Sequence, residues 1–323
     1  MKNSRIYTEQ AYGLTCVFLE NDQVRLCVLP EKGSDLYSFE YKPLGMDVLM
    51  KTPEGLSGMK GRNLYEKPLS GYADAYPGGW QELLPNMIDL EGFEPPMGGC
   101  ESATVPWDWA IQEETPQRVA LRLWVRLSLT PFFVEKTIVL EADAYSFLMT
   151  ERVVNMGLQT ARFTWTQHSA FGGKLIEGEA EVLLPRCEGF NFQAFMKNRG
   201  QPLESFIEPL EAMTLPDGGK LNLLEVRPKG DGPDVFFTLR NVAEASAAIC
   251  NHTYGVALRL EWDAAAYPHM GYWTRHDHIH TVALEPLRSY LLTREDSLRH
   301  GEHLTLEPGE SLTSWVRCGA YPL

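Results

Sequence analysis

The chain has 323 residues, of which 44% are hydrophobic and 22% are charged, an ordinary composition for a globular protein with a sizeable core. Its formal net charge of −14 at pH 7 argues against nucleic acid as a partner, because phosphate binding requires a basic surface. The same charge disfavours binding to an anionic membrane surface, and no apolar run approaches the length of a membrane span.

The amino terminus and the cysteines bear on the cellular compartment. The first ten residues, MKNSRIYTEQ, lack the apolar core of a secretory signal. The six cysteines are scattered and include no Cys-x-x-Cys pair, so neither a zinc knuckle nor a redox motif is expected. We therefore expect a cytoplasmic protein with reduced, mostly buried thiols.

Short strand-like runs follow one another along the whole chain. They cover residues 15–19, 24–29, 36–41, 119–129, 132–140, 147–154, 161–168, 235–239, 255–262, 281–284, 304–306 and 312–318. Residues 121–128 alternate apolar and polar side chains, and this period of two is typical of half-buried antiparallel strands. Turn-forming residues separate the runs, and long amphipathic helices are hard to find. The pattern predicts an all-β fold, a large antiparallel β-sandwich.

Two stretches lack this strand pattern. Residues 55–101 are rich in Gly, Pro and aromatic side chains and are interpreted as a long functional loop region. A second irregular stretch covers roughly residues 186–219. Since no repeat, low-complexity tail or linker divides the chain, residues 1–323 are expected to form a single domain.

Several segments, in chain order, carry a resemblance to a known family. They are 28–36 (VLPEKGSDL), 151–155 (ERVVN) followed by 166–172 (TQHSAFG), 284–286 (LEP) and 307–310 (EPGE). These segments resemble, in turn, the opening hairpin of the aldose 1-epimerase family, the strands that lead to its catalytic His, the strand with its catalytic Glu, and its closing segment. The resemblance covers nearly the whole chain and implies the galactose mutarotase-like supersandwich fold.

The resemblance implies that the chain interconverts the α and β anomers of an aldose without a cofactor. A base removes the proton of the anomeric hydroxyl, and an acid protonates the ring oxygen, so that the ring opens and recloses on the other face. Glu285 is the expected base and His168 the expected acid, facing one another across a shared pocket. The alternative for His168 is a core histidine whose hydrogen bonds are satisfied within the protein. The alternative for Glu285 is a solvated carboxylate on a strand.

Segment 76–86 (YPGGWQELLPN) resembles a segment of some family branches whose substrates are uncharacterised. Trp80 offers a stacking ring, and Gln81 and Asn86 offer amides, a combination that suits a hydroxyl-rich ligand. We expect these three residues beside the same cleft as His168. The alternative is a Gly/Pro turn in which Trp80 is a packing anchor.

Further substrate contacts are expected from side chains elsewhere in the chain. Trp107 and Trp273 are candidates for stacking on a sugar ring, and Arg275 and His276 are candidates for contacts with sugar hydroxyls.

Segment 98–107 (GGCESATVPW) resembles the stretch in which related enzymes often carry a second His, which assists recognition of the ring oxygen. Glu101 matches this stretch and is a further candidate for substrate binding, but Gly99 stands where the His would be. This departure favours a rival function, a carbohydrate-binding or regulatory protein of the same fold with weak catalysis.

The run His276-x-His278-x-His280 raises a third hypothesis, a metal-dependent sugar isomerase. On a strand, a period of two would place all three imidazoles on one face, where they could bind a transition metal. No second ligand cluster accompanies the run, so we interpret it as a polar loop or an exposed strand face and expect no metal. The expected partner is a small carbohydrate, and a homodimer is compatible with the sequence.

Overall fold

The computed structural model of the chain describes residues 3–59, 76–85, 100–230, 232 and 234–323. Within these residues the chain forms 24 strands and three short α-helices. The first twelve strands are β1 (Arg5–Ala11), β2 (Leu14–Glu20), β3 (Val24–Leu29), β4 (Asp35–Tyr41), β5 (Met46–Asp47), β6 (Trp80–Leu83), β7 (Asp108–Glu114), β8 (Arg118–Arg126), β9 (Phe132–Glu141), β10 (Ser146–Asn155), β11 (Ala161–Phe163) and β12 (Thr166–Gly172).

The second twelve strands are β13 (Ala180–Leu183), β14 (Glu188–Phe190), β15 (Ile207–Glu208), β16 (Met213–Thr214), β17 (Lys220–Leu221), β18 (Val235–Arg240), β19 (Ser246–Asn251), β20 (Val256–Trp262), β21 (His269–His276), β22 (His280–Leu287), β23 (Leu304–Leu306) and β24 (Ser311–Pro322). The helices are α1 (Glu101–Thr104), α2 (Phe192–Lys197) and α3 (Arg294–His300). None of these described helices is long and apolar enough to cross a membrane.

Two large sheets contain most of the strands. The first sheet has the order β1-β2-β3-β4-β6-β12-β22-β21-β18-β14-β15, with β5 paired to β4, and the second has the order β13-β19-β20-β24-β10-β9-β8-β7. Two short ribbons join β11 to β23 and β16 to β17. At the centre of the first sheet, β12 pairs antiparallel with β6 on one side and with β22 on the other. Segments remote in sequence thus become direct neighbours there.

A hydrophobic core fills the space between the two sheets. It includes Leu26 and Phe39 of the first sheet and Leu121 and Phe147 of the second. The rings of Phe39 and Phe147 meet edge to face, with their centroids 5.4 Å apart, a favoured geometry for aromatic pairs. Each sheet therefore buries one face against the other, which confirms the predicted antiparallel β-sandwich. That residues 1–323 form a single domain stays a prediction.

A central strand of the first sheet lies within the stretch that the sequence predicts as loop. Strand β6 is buried on both faces and follows Gly78 and Gly79, whose φ angles are 102° and 91°. A Cβ on Gly79 would lie 2.6 Å from the carbonyl oxygen of Leu36. Because a side chain fits neither this conformation nor this space, the glycines bring β6 directly against β4, and the Gly-rich pattern conceals a strand.

A buried ion cluster links the two sheets. The ammonium of Lys136, on β9, lies 2.9 Å from Glu82, on β6, and 3.3 Å from Glu151, on β10. The indole of Trp165 also donates to Glu82 (3.0 Å), and the amide of Gln167 donates to Glu151 (2.6 Å). Burial, followed by repulsion from Glu82, raises the pKa of Glu151. The cation and these donors offset the cost of burying two carboxyl groups.

Replacing the shared cation should therefore be costly. We expect Lys136→Met to lower the free energy of unfolding by about 3–5 kcal/mol, because two buried carboxyl groups lose their partner. Urea unfolding at pH 7, followed by tryptophan fluorescence, measures this loss. The control is the triple variant K136M/E82Q/E151Q, which removes all three charges and should recover most of the stability. A K136M protein as stable as the wild type would contradict the expectation.

Candidate active site

Four neighbouring strands of the first sheet align one row of side chains. Gln81 of β6 pairs with His168 of β12, and Glu285 of β22 pairs with Gly271 of β21. The pairs of β12 with β22 that flank this position, 166 with 287 and 170 with 283, place His168 opposite Glu285. Since directly opposite residues point to the same face of a sheet, the register brings the side chains of Gln81, His168 and Glu285 together.

The His168 and Glu285 side chains meet within this row. Nε2 of His168 lies 3.6 Å from Oε1 of Glu285, and both side chains are buried. Neither carboxyl oxygen of Glu285 accepts a hydrogen bond from any residue that the structure describes. A Cβ at Gly271 would lie 3.2 Å from Cβ of Glu285 and 2.8 Å from the ring of Phe236. The glycine therefore leaves room for the Glu285 side chain.

Burial controls the charge of both groups. It lowers the pKa of His168 to about 4 and raises the pKa of Glu285 well above its ordinary value. Although the 3.6 Å distance is that of an ion pair, the separation of these pKa values favours a neutral imidazole beside a protonated carboxyl. An imidazolium beside a carboxylate contains the same number of protons. Below the raised pKa of Glu285, the pair therefore holds one proton that either residue can carry.

Aromatic and small apolar side chains surround the pair. The His168 ring lies 5.3 Å from that of Tyr76, edge to face, and 5.9 Å from that of Trp273, tilted by 33°. Trp273 donates its indole N–H to Asp234 at 2.7 Å, which fixes the orientation of its ring. Tyr76 and Trp273 also pack against a small cluster that includes Ala170. Tyr76 begins segment 76–86, but the sequence pattern by itself indicates no role for it.

Arg275 lies two residues beyond Trp273 on β21 and therefore on the same face of the strand. Its guanidinium lies 3.3 Å from Asp234 and 2.9 Å from Asp277. Two carboxylates thus compensate this cation, which limits the charge it can offer to an anionic ligand.

The predicted roles of Trp80 and Trp107 in substrate stacking are corrected by the structure. Trp80 lies on the opposite face of β6 from Gln81, where it packs against Phe147 in the core and donates to the side chain of Gln167 (2.8 Å). Trp107 is also buried in the core and donates to the carbonyl of Ser102 (2.9 Å). The packing-anchor interpretation is right for Trp80, because alternation along β6 turns its ring inward.

The structure also contradicts the prediction that His276 contacts the substrate. It alternates with Arg275 on β21, so it points to the other face, where it is buried against Thr274 and His280. The three histidines lie in the hairpin between β21 and β22 rather than along one strand, and His278 is exposed in the turn. Among the described residues, no group of three or more His, Cys, Asp or Glu side chains could hold a metal ion. Asn86 and Gly99 lie outside the described residues.

Glu101 has a structural role in place of the predicted role in substrate binding. Its buried carboxylate accepts hydrogen bonds from the backbone N–H groups of Ser128 (2.6 Å), Leu129 (2.7 Å) and Thr130 (3.0 Å), and from the Thr130 hydroxyl (2.7 Å). The carboxylate thus fixes the turn between β8 and β9. Its distance from this turn in the sequence conceals the role, because nothing in 98–107 indicates where the acceptor is needed.

Comparisons with known proteins identify the fold. No protein-family model and no curated protein matches the chain. A structure named as a candidate aldose 1-epimerase from Klebsiella pneumoniae is 15% identical, with a TM-score of 0.71 over 99% of this chain and 88% of that one. A galactose mutarotase-like protein from Clostridium acetobutylicum is 14% identical, with a TM-score of 0.69 over 100% of both chains.

A Synechocystis protein is 18% identical, with a TM-score of 0.68 over 100% of this chain and 98% of that one. At this level of identity, the similarity establishes the fold and leaves the activity to be argued from the site. The chain has the galactose mutarotase-like β-sandwich fold that the resemblance implied.

The structural role of Glu101 gives a stability prediction. We expect Glu101→Ala to lower the free energy of unfolding by about 3 kcal/mol, because three backbone N–H groups lose a charged acceptor. Chemical denaturation of this variant beside Glu113→Ala, which removes a partly exposed carboxylate on β7, measures the difference. Equal stability of the two variants would show that the turn does not depend on Glu101.

The raised pKa of Glu285 gives a second prediction. Because the folded state favours the protonated carboxyl, the contribution of Glu285 to stability is complete below its unfolded pKa and is lost as pH rises through the folded pKa. Gln cannot ionise, so Glu285→Gln should gain stability relative to the wild type as pH rises from 5 to 8, by up to about 1.4 kcal/mol per pH unit.

Urea unfolding at pH 5, 6, 7 and 8 measures this trend for both proteins. Repeating the series in 0.5 M NaCl is the control, since salt screens exposed charges much more than buried ones. A difference between the two proteins that does not vary with pH would be evidence against the raised pKa.

Proposed function

We propose that this protein is an aldose 1-epimerase-like enzyme that interconverts the α and β anomers of a sugar by general acid/base ring opening. The observation that carries the proposal is the buried carboxyl of Glu285, which accepts no hydrogen bond from a described residue and lies 3.6 Å from Nε2 of His168. A buried polar group without a partner is costly in a purely structural role. A substrate hydroxyl would supply the missing hydrogen bond.

In the proposed reaction, the proton of the pair first moves from the Glu285 carboxyl to Nε2 of His168, so that ring opening begins from a Glu285 carboxylate and a His168 imidazolium. Glu285 takes the proton of the anomeric hydroxyl while His168 gives its Nε2 proton to the ring oxygen, and the bond between C1 and the ring oxygen breaks. The aldehyde then rotates about C1–C2. Reclosure returns the ring-oxygen proton to His168 and the Glu285 proton to the anomeric oxygen, so the pair ends in its initial state.

The closeness of the two groups suits this chemistry. The anomeric oxygen and the ring oxygen are bonded to the same carbon, so an acid and a base that act on them must themselves be neighbours. The 3.6 Å between His168 and Glu285 allows each group to lie within hydrogen-bond reach of its own oxygen. The shared proton also allows either residue to be the donor.

The surroundings of the pair suit an uncharged sugar. The rings of Trp273 and Tyr76 offer apolar surfaces of the kind that pack against the C–H face of a sugar ring. Arg275 could donate hydrogen bonds to hydroxyls, while its pairing with Asp234 and Asp277 disfavours a phosphate at this position.

The proposal includes a cytoplasmic location, no cofactor and a small carbohydrate as substrate. All six cysteines are free thiols, and five of them are buried, which supports a reducing compartment. The formal charge of −14 disfavours nucleic acid and anionic membranes as partners. A homodimer remains compatible with the proposal.

A second candidate function is a carbohydrate-binding or regulatory protein of the same fold. The observation that favours it is Gly99, which stands where related enzymes often carry the second His. In that case the site around His168 and Glu285 would hold a sugar while ring opening remained slow. Binding and catalysis must therefore be measured separately.

The proposed function predicts that Glu285→Gln slows anomer interconversion on the order of 10²-fold or more, because the amide keeps the shape but cannot accept the proton. Sugar binding should weaken far less, since the amide still forms hydrogen bonds. The measurement is polarimetry, or a coupled anomer-specific dehydrogenase, on freshly dissolved α-aldoses.

The matched control is Glu302→Gln, because Glu302 also contacts a histidine, with 2.9 Å to Nε2 of His269, but lies outside the site. This variant should interconvert anomers at the wild-type rate. Equal rates for the wild type and Glu285→Gln would refute the assigned base. A wild type that binds sugars without accelerating any of them would favour the binding protein.

A further inference from the structure

A chain of buried polar side chains leads from the amino-terminal hairpin to His168. Lys32, in the turn between β3 and β4, donates to Oδ2 of Asp35 (2.8 Å) and to the carbonyl of Ala103 (2.8 Å). The Nε2 amide of Gln81 donates to the same Oδ2 of Asp35 (3.1 Å), and Oε1 of Gln81 lies 3.2 Å from Nδ1 of His168. The sequence by itself indicates no functional role for Lys32 or Asp35.

The close approach of the hairpin to α1 depends on one glycine. Gly33 has a φ of 61°, and a Cβ there would lie 2.4 Å from the carbonyl oxygen of Ala103. Since no side chain fits in this space, the glycine allows the adjacent Lys32 to reach that carbonyl. Lys32 and Asp35 then form an ion pair whose two side chains are both 0% exposed.

The hydrogen bonds determine which way the Gln81 amide points. Its Nε2 lies 3.1 Å from Oδ2 of Asp35 and 3.1 Å from the carbonyl oxygen of Gly78. The carbonyl can only accept, and Oδ2 already accepts from Lys32, so the group facing both must be the amide N–H₂. The oxygen of Gln81 consequently faces His168.

The orientation of Gln81 in turn determines the tautomer of His168. An amide oxygen can only accept a hydrogen bond, so Nδ1 of His168 must carry a hydrogen. A neutral imidazole has one N–H, which leaves a lone pair at Nε2, the nitrogen that lies 3.6 Å from Glu285. In a histidine, the hydrogen bond made by one ring nitrogen sets the state of the other.

We propose that Lys32, Asp35 and Gln81 are positioning residues that hold His168 in the Nδ1–H tautomer and reserve its Nε2 for proton exchange. The tautomer follows from hydrogen-bond geometry alone, whereas its catalytic consequence rests on the proposed function. With the opposite tautomer, a neutral His168 would present N–H to the site and could not take back the ring-oxygen proton when the sugar recloses.

The tautomer can be measured directly on the intact protein. Long-range ¹H–¹⁵N spectra of protein labelled with ¹⁵N-histidine distinguish Nδ1–H from Nε2–H, and loss of a signal in His168→Gln assigns this residue among the eight histidines. The spectrum is recorded at pH 7, where the lowered pKa of about 4 keeps His168 neutral. We expect the Nδ1–H form in the wild type, and the Nε2–H form would overturn the proposal.

Variants of Gln81 test its role. Gln81→Met removes the acceptor, so we expect the Nε2–H tautomer to appear and kcat to fall by about tenfold or more with a smaller change in KM. Gln167→Met is the matched control, because Gln167 is equally buried but lies on the other face of β12. An unchanged tautomer in Gln81→Met would overturn the proposal.

The double variant K32M/D35L tests the far end of the chain. It removes both members of the ion pair, so that neither charge is left buried without its partner. It should shift the tautomer in the same direction as Gln81→Met but by less, because the carbonyl of Gly78 still accepts from Nε2 of Gln81. An unchanged tautomer would overturn the roles of Lys32 and Asp35. If the wild type epimerises no sugar, the proposed function fails, but the spectra still decide the tautomer. If Gln81→Met does not fold, the spectrum of the wild type still decides it.

Discussion

The pairing of β12 with β6 and β22 is the constraint on which the site depends. All seven residues of β12 are buried, so neither face of this strand can turn to solvent. Alternation then sends adjacent polar side chains to different surroundings. His168 joins Glu285 and Gln81 on one face, and Gln167 joins Glu151 and Trp80 on the core face. A one-residue shift of the strand would exchange the two sets.

The two faces deal with buried charge in opposite ways. On the core face, Glu82 and Glu151 share the ammonium of Lys136 and accept further hydrogen bonds. On the other face, the carboxyl of Glu285 accepts no hydrogen bond from a described residue, and burial raises its pKa. A compensated cluster stabilises the sandwich, whereas an uncompensated carboxyl beside an imidazole is typical of a site that has to bind or exchange a proton.

The amino-terminal hairpin is coupled to the same row through buried polar contacts. Lys32 and Asp35 lie far from His168 in sequence, yet Gln81 is the only side chain between Asp35 and His168 in the described hydrogen bonds. Each of these contacts is shielded from water, so its orientation is fixed more strongly than that of an exposed pair. The hairpin thus contributes to the electrostatics of the site as well as to the core.

The sequence by itself determined the all-β class, through its period-two patterning, and it nominated His168 and Glu285 through segments that resemble a known family. It also predicts substrate-binding roles for Gln81, Trp273 and Arg275, which the structure places on the same face of the first sheet. Side-chain chemistry alone also predicts substrate contacts for Trp80, Trp107 and His276, but these side chains point into the protein, as does that of Glu101. Which face a strand residue occupies depends on its partners, and these come from segments far away in the chain. Only the tertiary structure could therefore decide the register that joins Gln81, His168 and Glu285, and the approach of Lys32 and Asp35 to that row.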